Sequence, residues 1–130
     1  MRSERRLRRL VVEGTVHRWT VRHRHTVGAP CREVLALYRD GAATLIVFRN
    51  GAGRVAGGGM GYSHSGLVAD GRGHSVNLHE PGVVRAFVDE VRSRGWAAGE
   101  LDGWELLPSV AVSRAAAATP GVPPDCPPGP

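Results

Sequence analysis

Arginine and histidine are the side chains that could carry chemistry in this sequence. Its 17 basic residues are all arginine, and it has six histidines. Eight arginines fall within residues 1–25 against Glu4 and Glu13, a local net of +6. The remainder is nearly neutral, so the formal net charge of +5 is concentrated at one end. Such a region could meet nucleic-acid phosphates or an acidic protein surface. The absence of lysine, beside 18 glycines, reads as a coding bias rather than as phosphate chemistry.

Arg18, Arg22 and Arg24 share one parity along the run Val16 to His25, and Trp19 and Val21 share the other. Period two therefore predicts an arginine face and a core face on one strand. Those three arginines are the candidate partner-binding residues. RNA-binding sheets set stacking aromatics between their charges. On this reading the arginine face has no aromatic, because Trp19 points the other way.

His23 and His25 sit two apart on the same strand, with rings about 7 Å apart on one face. They are the candidate metal pair, needing a third ligand. The sequence has no HExxH motif and no zinc-finger spacing of Cys and His. The simpler reading leaves both histidines half exposed at a frayed strand end. Ser63, His64, His74 and His79 are the loop candidates for a His-dependent or metal-dependent enzyme using residues 57–79. Gly61-Tyr-Ser63-His-Ser65-Gly66 approaches the GxSxG nucleophile elbow, but its second glycine falls one position late. Cys31 and Cys126 lack a neighbouring base that would lower a thiol pKa.

Two glycine motifs need context. Gly51-Ala-Gly53-Arg-Val-Ala56 fits the loose GxGxxA dinucleotide pattern after a strand, which requires a helix next. Arg54-Val-Ala-Gly57-Gly-Gly59 resembles the RxxGxG element with which GNAT acetyltransferases hold acyl-CoA, again at a helix start. The glycines and Tyr62-Ser-His-Ser-Gly66 that follow are poor helix formers. No catalytic site and no cofactor is expected.

The elements that position these residues are mainly strands. Leu10–Val12 and Val16–His25 flank Glu13-Gly14, and Glu33–Arg39 and Ala43–Arg49 flank Asp40-Gly41. Both pairs read as hairpins: Gly14 supplies the positive φ of a tight turn in the first, and Asp40-Gly41 is the dipeptide preferred in type I′ turns in the second. Asn50-Gly51 offers a third turn with Arg54–Ala56 returning, and His74–Leu78 is a short strand. Pro81 opens a helix over about 82–94, with Val83, Val84, Phe87, Val88 and Val91 on one stripe and Gly95 as its stop. Trp104–Leu107 reads as a last strand ended by Pro108.

The sequence thus predicts an α+β fold, an antiparallel meander of five to six strands with one C-terminal helix packed on the Trp19 face. Residues 1–7 form a basic arm, 8–108 a single domain, and 109–130 a disordered Ala/Pro-rich tail. No apolar run has the length of a membrane span or secretory h-region, which makes a cytoplasmic location the expectation.

Arg18-Trp-Thr-Val-Arg22, the paired strands, and Pro81-Gly-Val-Val-Arg85 through Arg94-Gly-Trp96 together resemble a group of small uncharacterised bacterial proteins. The resemblance spans residues 8–107 and implies a strand-rich body with one helix ending in Gly-Trp. It confers no activity. The function expected is a non-enzymatic binding or accessory module; nucleic-acid binding through the arginine strip and the loop enzyme are the alternatives.

Overall fold

A computed structural model describes residues 7–24, 27–28, 30–56, 66–96 and 98–118. Four antiparallel strands follow one another: β1 (Arg8–Val12), β2 (Thr15–Arg24), β3 (Arg32–Arg39) and β4 (Ala42–Arg49). Their tight turns are the predicted ones. Glu13-Gly14 and Asp40-Gly41 all take positive φ, between 50° and 82°, which is the type I′ geometry that matches strand twist.

The chain then departs from a meander. Ala52 and Gly53 form the next tight turn, closed by Gly51 and Arg54 bonding each other's backbone. The strand that follows, β5 (Val55–Ala56), does not return onto β4. It pairs with β6 (Leu67–Ala69), which pairs with β7 (Ser75–Asn77), as a separate three-stranded sheet. Asn50 fixes that departure. Its Nδ2 donates to the Cys31 and Ala56 carbonyls, and its Oδ1 accepts from Ala56 N–H.

Helix α1 (Pro81–Ser93) buries the predicted stripe of Val83, Val84, Phe87, Val88 and Val91. Beyond it, β8 (Gly99–Asp102) joins the edge of β4 in parallel, giving a five-stranded order β1-β2-β3-β4-β8. No pattern in the sequence announced β8.

The expected last strand is instead helix α2 (Gly103–Ala118). Trp104, Leu107 and Val110 recur at intervals of three, and Leu106 and Val110 at four, so a helix places all four in the core. Asp102 Oδ1 accepts the Trp104 N–H at 2.9 Å and satisfies one orphan donor of the first turn. Pro108 lies inside this helix, and burial of the four neighbours offsets its missing hydrogen bond. Residues 109–118, expected in the tail, are thus helical; 119–130 lie outside the described residues. The fold is α+β, with two helices, two sheets and one parallel pair among the described residues, where one helix and one meander were expected.

Both helices pack on the face of the large sheet that carries Trp19, Leu35, Leu37, Ile46 and Phe48. Phe48 is the centre of an aromatic group, edge-on to Phe87 at 5.8 Å and to Trp104 at 5.1 Å. Trp104 Nε1–H donates to the Arg49 carbonyl at 2.9 Å, pinning α2 to β4. Gly103 lies against the Phe48 ring with no room for a Cβ.

His17 also belongs to this face. It is fully buried, its ring is 5.4 Å from Trp96, and neither nitrogen has a hydrogen-bond partner among the described residues. Burial, aided by Arg39 and Arg92 and opposed by Asp40, holds its pKa below the ordinary 6.5.

Two outcomes follow from this packing. Gly103→Ala must displace the buried Phe48 ring, and urea unfolding should show a loss of about 1–3 kcal/mol. Folding holds the His17 pKa below its ordinary 6.5 and so favours the neutral ring over what the unfolded chain has. Its contribution is present above that pH and lost as pH falls, because the unfolded chain then binds more protons. Urea midpoints should therefore drop on going from pH ~7.5 to ~5 by more in the wild type than in His17→Leu.

Candidate basic face

The second face of the large sheet carries the arginines. Strand register sets them in rows. Arg24 pairs with Arg32, and Arg32 pairs with Arg49, so three arginines stand side by side across β2, β3 and β4. Arg9 pairs with Arg18, and Arg18 with Tyr38, at the other end. Arg22 lies between, opposite Val34. The sequence-predicted Arg18, Arg22 and Arg24 do share this face, as their parity required.

Three arginines join them that the sequence reading did not assign: Arg9, Arg32 and Arg49. The aromatic absence is corrected too. Tyr38 is on this face, and Arg22 Nη2 donates to its hydroxyl at 3.4 Å. The N-terminal strip, conversely, divides between the two faces. Arg8 turns to the core side, its guanidinium 4.6 Å from the Trp19 ring centroid and bonded to the His79 carbonyl.

Between the arginine rows lies an apolar floor. Val34, Ala36 and Val47 are only 7%, 1% and 3% exposed, yet they are not part of the core cluster under the helices. They line a concavity of about 340 Å³ together with Leu45, Ala43 and Tyr38, and its charged walls are Arg22, Arg24, Arg32 and Glu100. That volume is within the range of small-ligand sites.

The electrostatics are unbalanced. Arg49 reaches Glu100 at 3.7 Å, on the parallel strand at the sheet edge. Among the described residues no ion pair engages Arg9, Arg18, Arg22, Arg24 or Arg32. Arg22 Nε is shut off from solvent without an acceptor. Like charges directly opposite on a sheet are destabilising, so the row Arg24-Arg32-Arg49 opposes folding.

Of the candidate histidines, His23, His74 and His79 are described, and each makes contacts within the fold. His23 Nδ1 lies 2.6 Å from Oε1 of Glu33, its cross-strand partner. His25 lies outside the described residues, and among those described no group of three His, Cys, Asp or Glu could hold a metal. Glu33 is fully buried, and its Oε2 accepts the Gly66 N–H. Burial pushes the Glu33 carboxyl above the usual carboxylate range, against the pull of His23, Gly66 N–H and His79. The effect is a polar tie from β2 and β3 to the start of β6. The His79 ring covers Gly66 on its open side, where a Cβ would collide with it.

His74 Nδ1 lies 2.7 Å from Asp70 Oδ2, and Asp70 Oδ1 accepts from the Arg72 and His74 N–H groups. Burial raises the Asp70 carboxyl, but these bonds outweigh it and leave the pKa lowered. That geometry closes the β6–β7 turn. Ser63 and His64 lie outside the described residues. The dinucleotide motif fails its context, since Gly51–Arg54 closes on itself and leads into β5 rather than a helix. No helix among the described residues is long and apolar enough to cross a membrane.

No family model, no curated protein and no solved structure matches this chain. The site therefore rests on its own geometry. One outcome tests its charge imbalance directly. Arg32→Gln keeps the aliphatic stem and removes the central charge of the row. It should raise stability by about 0.2–1 kcal/mol at low salt. The gain should shrink in ~1 M NaCl, where the screening length is about 3 Å.

Proposed function

We propose that this chain is a non-enzymatic binding module that takes an anionic partner on its open sheet face. The observation that carries this reading is the row Arg24-Arg32-Arg49, three charges side by side of which only Arg49 has an acidic partner among the described residues. An anion placed over the row turns a folding penalty into binding free energy. Arg22 extends the site inward, and Arg18 and Arg9 supply charge at the far end. The guanidinium fork suits carboxylate or phosphate oxygens.

A second reading puts single-stranded nucleic acid on the same face. Tyr38 favours it, since it offers one ring among arginines.

Retention on a heparin column, eluted with salt, tests the common premise. The wild type should be retained. The triple variant Arg24→Ala, Arg32→Ala, Arg49→Ala should elute at clearly lower salt. A control that removes the same charge from helix α1 and its C-cap, Arg85→Ala with Arg92→Ala and Arg94→Ala, should elute close to the wild type. Equal elution of the two triple variants would mean that net charge alone governs retention, and the face would lose its role.

A further inference from the structure

We infer that the concavity on the open face binds a single-chain amphipathic anion, with its carboxylate or phosphate head on Arg24 and Arg32 and its apolar tail along the floor. This inference rests on the anion-binding reading above and names the ligand class.

Polarity along the two central strands is the first argument. β3 presents Arg32, Val34, Ala36 and Tyr38 in succession to this face, and β4 presents Arg49, Val47, Leu45 and Ala43 beside them. On these two strands charge is confined to one end, and their three following rows are apolar apart from one phenol; Arg22, and Arg18 with Arg9 at the far end, come from the flanking strands β2 and β1. Six residues of strand span about 20 Å at ~3.4 Å each. A ligand that fits this strip has one charged end and an extended hydrocarbon body. A nucleic-acid strand has charge at every repeat, and its bases call for flat aromatic partners. The floor offers aliphatic groups and a single ring.

The geometry of the walls agrees. Glu100 has its backbone beside Leu45, and its carboxylate reaches Arg49 at 3.7 Å. It offsets Arg49 at the sheet edge and leaves Arg24 and Arg32, which no ion pair among the described residues engages, as the place for the charge. Arg22 lies across the floor toward Tyr38, and its Nε is desolvated with no acceptor. An anionic head beside Arg24 and Arg32 would provide the missing counter-charge. A second copy of the chain is a poor occupant, since face-to-face pairing would set arginine rows against each other.

Dodecyl phosphate below its micelle concentration is the probe, titrated calorimetrically into the full chain. Inorganic phosphate and a ~10-nucleotide oligothymidine are the comparators. The expected result is saturable one-to-one binding of dodecyl phosphate, at least about tenfold tighter than inorganic phosphate. Arg32→Gln should weaken it about tenfold, and so should Leu45→Asp, which puts a carboxylate in the floor. Ala43→Asp, at the half-buried far end, is the second floor variant should Leu45→Asp fail to fold. The floor variants should remain on heparin. Heparin retention with no saturable dodecyl phosphate binding, or binding indifferent to the floor variants, overturns this inference and leaves the anion-binding reading standing. Oligothymidine binding tighter than dodecyl phosphate, and weakened by Tyr38→Ala, overturns it in favour of nucleic acid. Loss of both heparin retention and dodecyl phosphate binding overturns both readings.

Discussion

Successive residues of a strand must point to opposite faces, and in β2, β3 and β4 that alternation separates two incompatible sets of side chains. One set, Trp19, Leu35, Leu37, Ile46 and Phe48, needs cover from water. The other begins and ends in arginine. A slip of one residue in any pairing would exchange the two faces, so the register is fixed by the burial it commands. Both helices are consequences of this. They seal the apolar face, and α2 is held there by Trp104 beside Phe48 and by its indole bond to Arg49. The face that carries the arginines is the one that the two helices do not cover.

The second sheet depends on the same strands by a different route. It contributes Ala56, Val68, Val76 and Leu78 to the core, but its strands are two or three residues long. Strands so short need an external anchor. Asn50 supplies one at the start, and the buried Glu33 carboxylate supplies another through Gly66 N–H. A buried carboxylate is costly unless it is fully hydrogen-bonded, and His23 and Gly66 engage both of its oxygens. The histidine first considered as a metal ligand is thereby part of the joint between the sheets.

Local chemistry decided which parts of this were legible in advance. The hairpins follow from Glu13-Gly14 and Asp40-Gly41, whose positive φ needs no tertiary help. Helix α1 follows from its stripe and its proline start. The arginine parity of β2 follows from period two. Arg32 and Arg49 could be paired through the two-residue turn at Asp40-Gly41, but their alignment with Arg24 depends on the β2–β3 connection, whose length fixes no register. Tyr38 was missed for that reason. Helix α2 was missed because Pro108 reads as a stop. Its cost is about 3 kcal/mol or more, set against about 1.5–3 kcal/mol for each fully buried apolar side chain, of which Trp104, Leu106, Leu107 and Val110 supply four. β8 has no apolar alternation, since its place is given by the β4 edge and by the helices on either side of it in the chain.

The open face combines two features that a solvated surface does not require. A solvated arginine face can spread its charges and leave small polar residues between them. Here three arginines are aligned across adjacent strands, and the ground between them and Tyr38 is aliphatic and shielded. Each feature alone has a bland origin: coding bias favours arginine, and central strands favour valine. Their conjunction is less easily explained so. Coding bias acts on residue type, whereas the row and the floor are properties of register, which is set by the opposite face. A desolvated Arg22 Nε without an acceptor adds a cost that the floor's burial does not relieve. Charge alignment and the unsatisfied donor are costs of the same sign, and an anion at the arginine end would offset both.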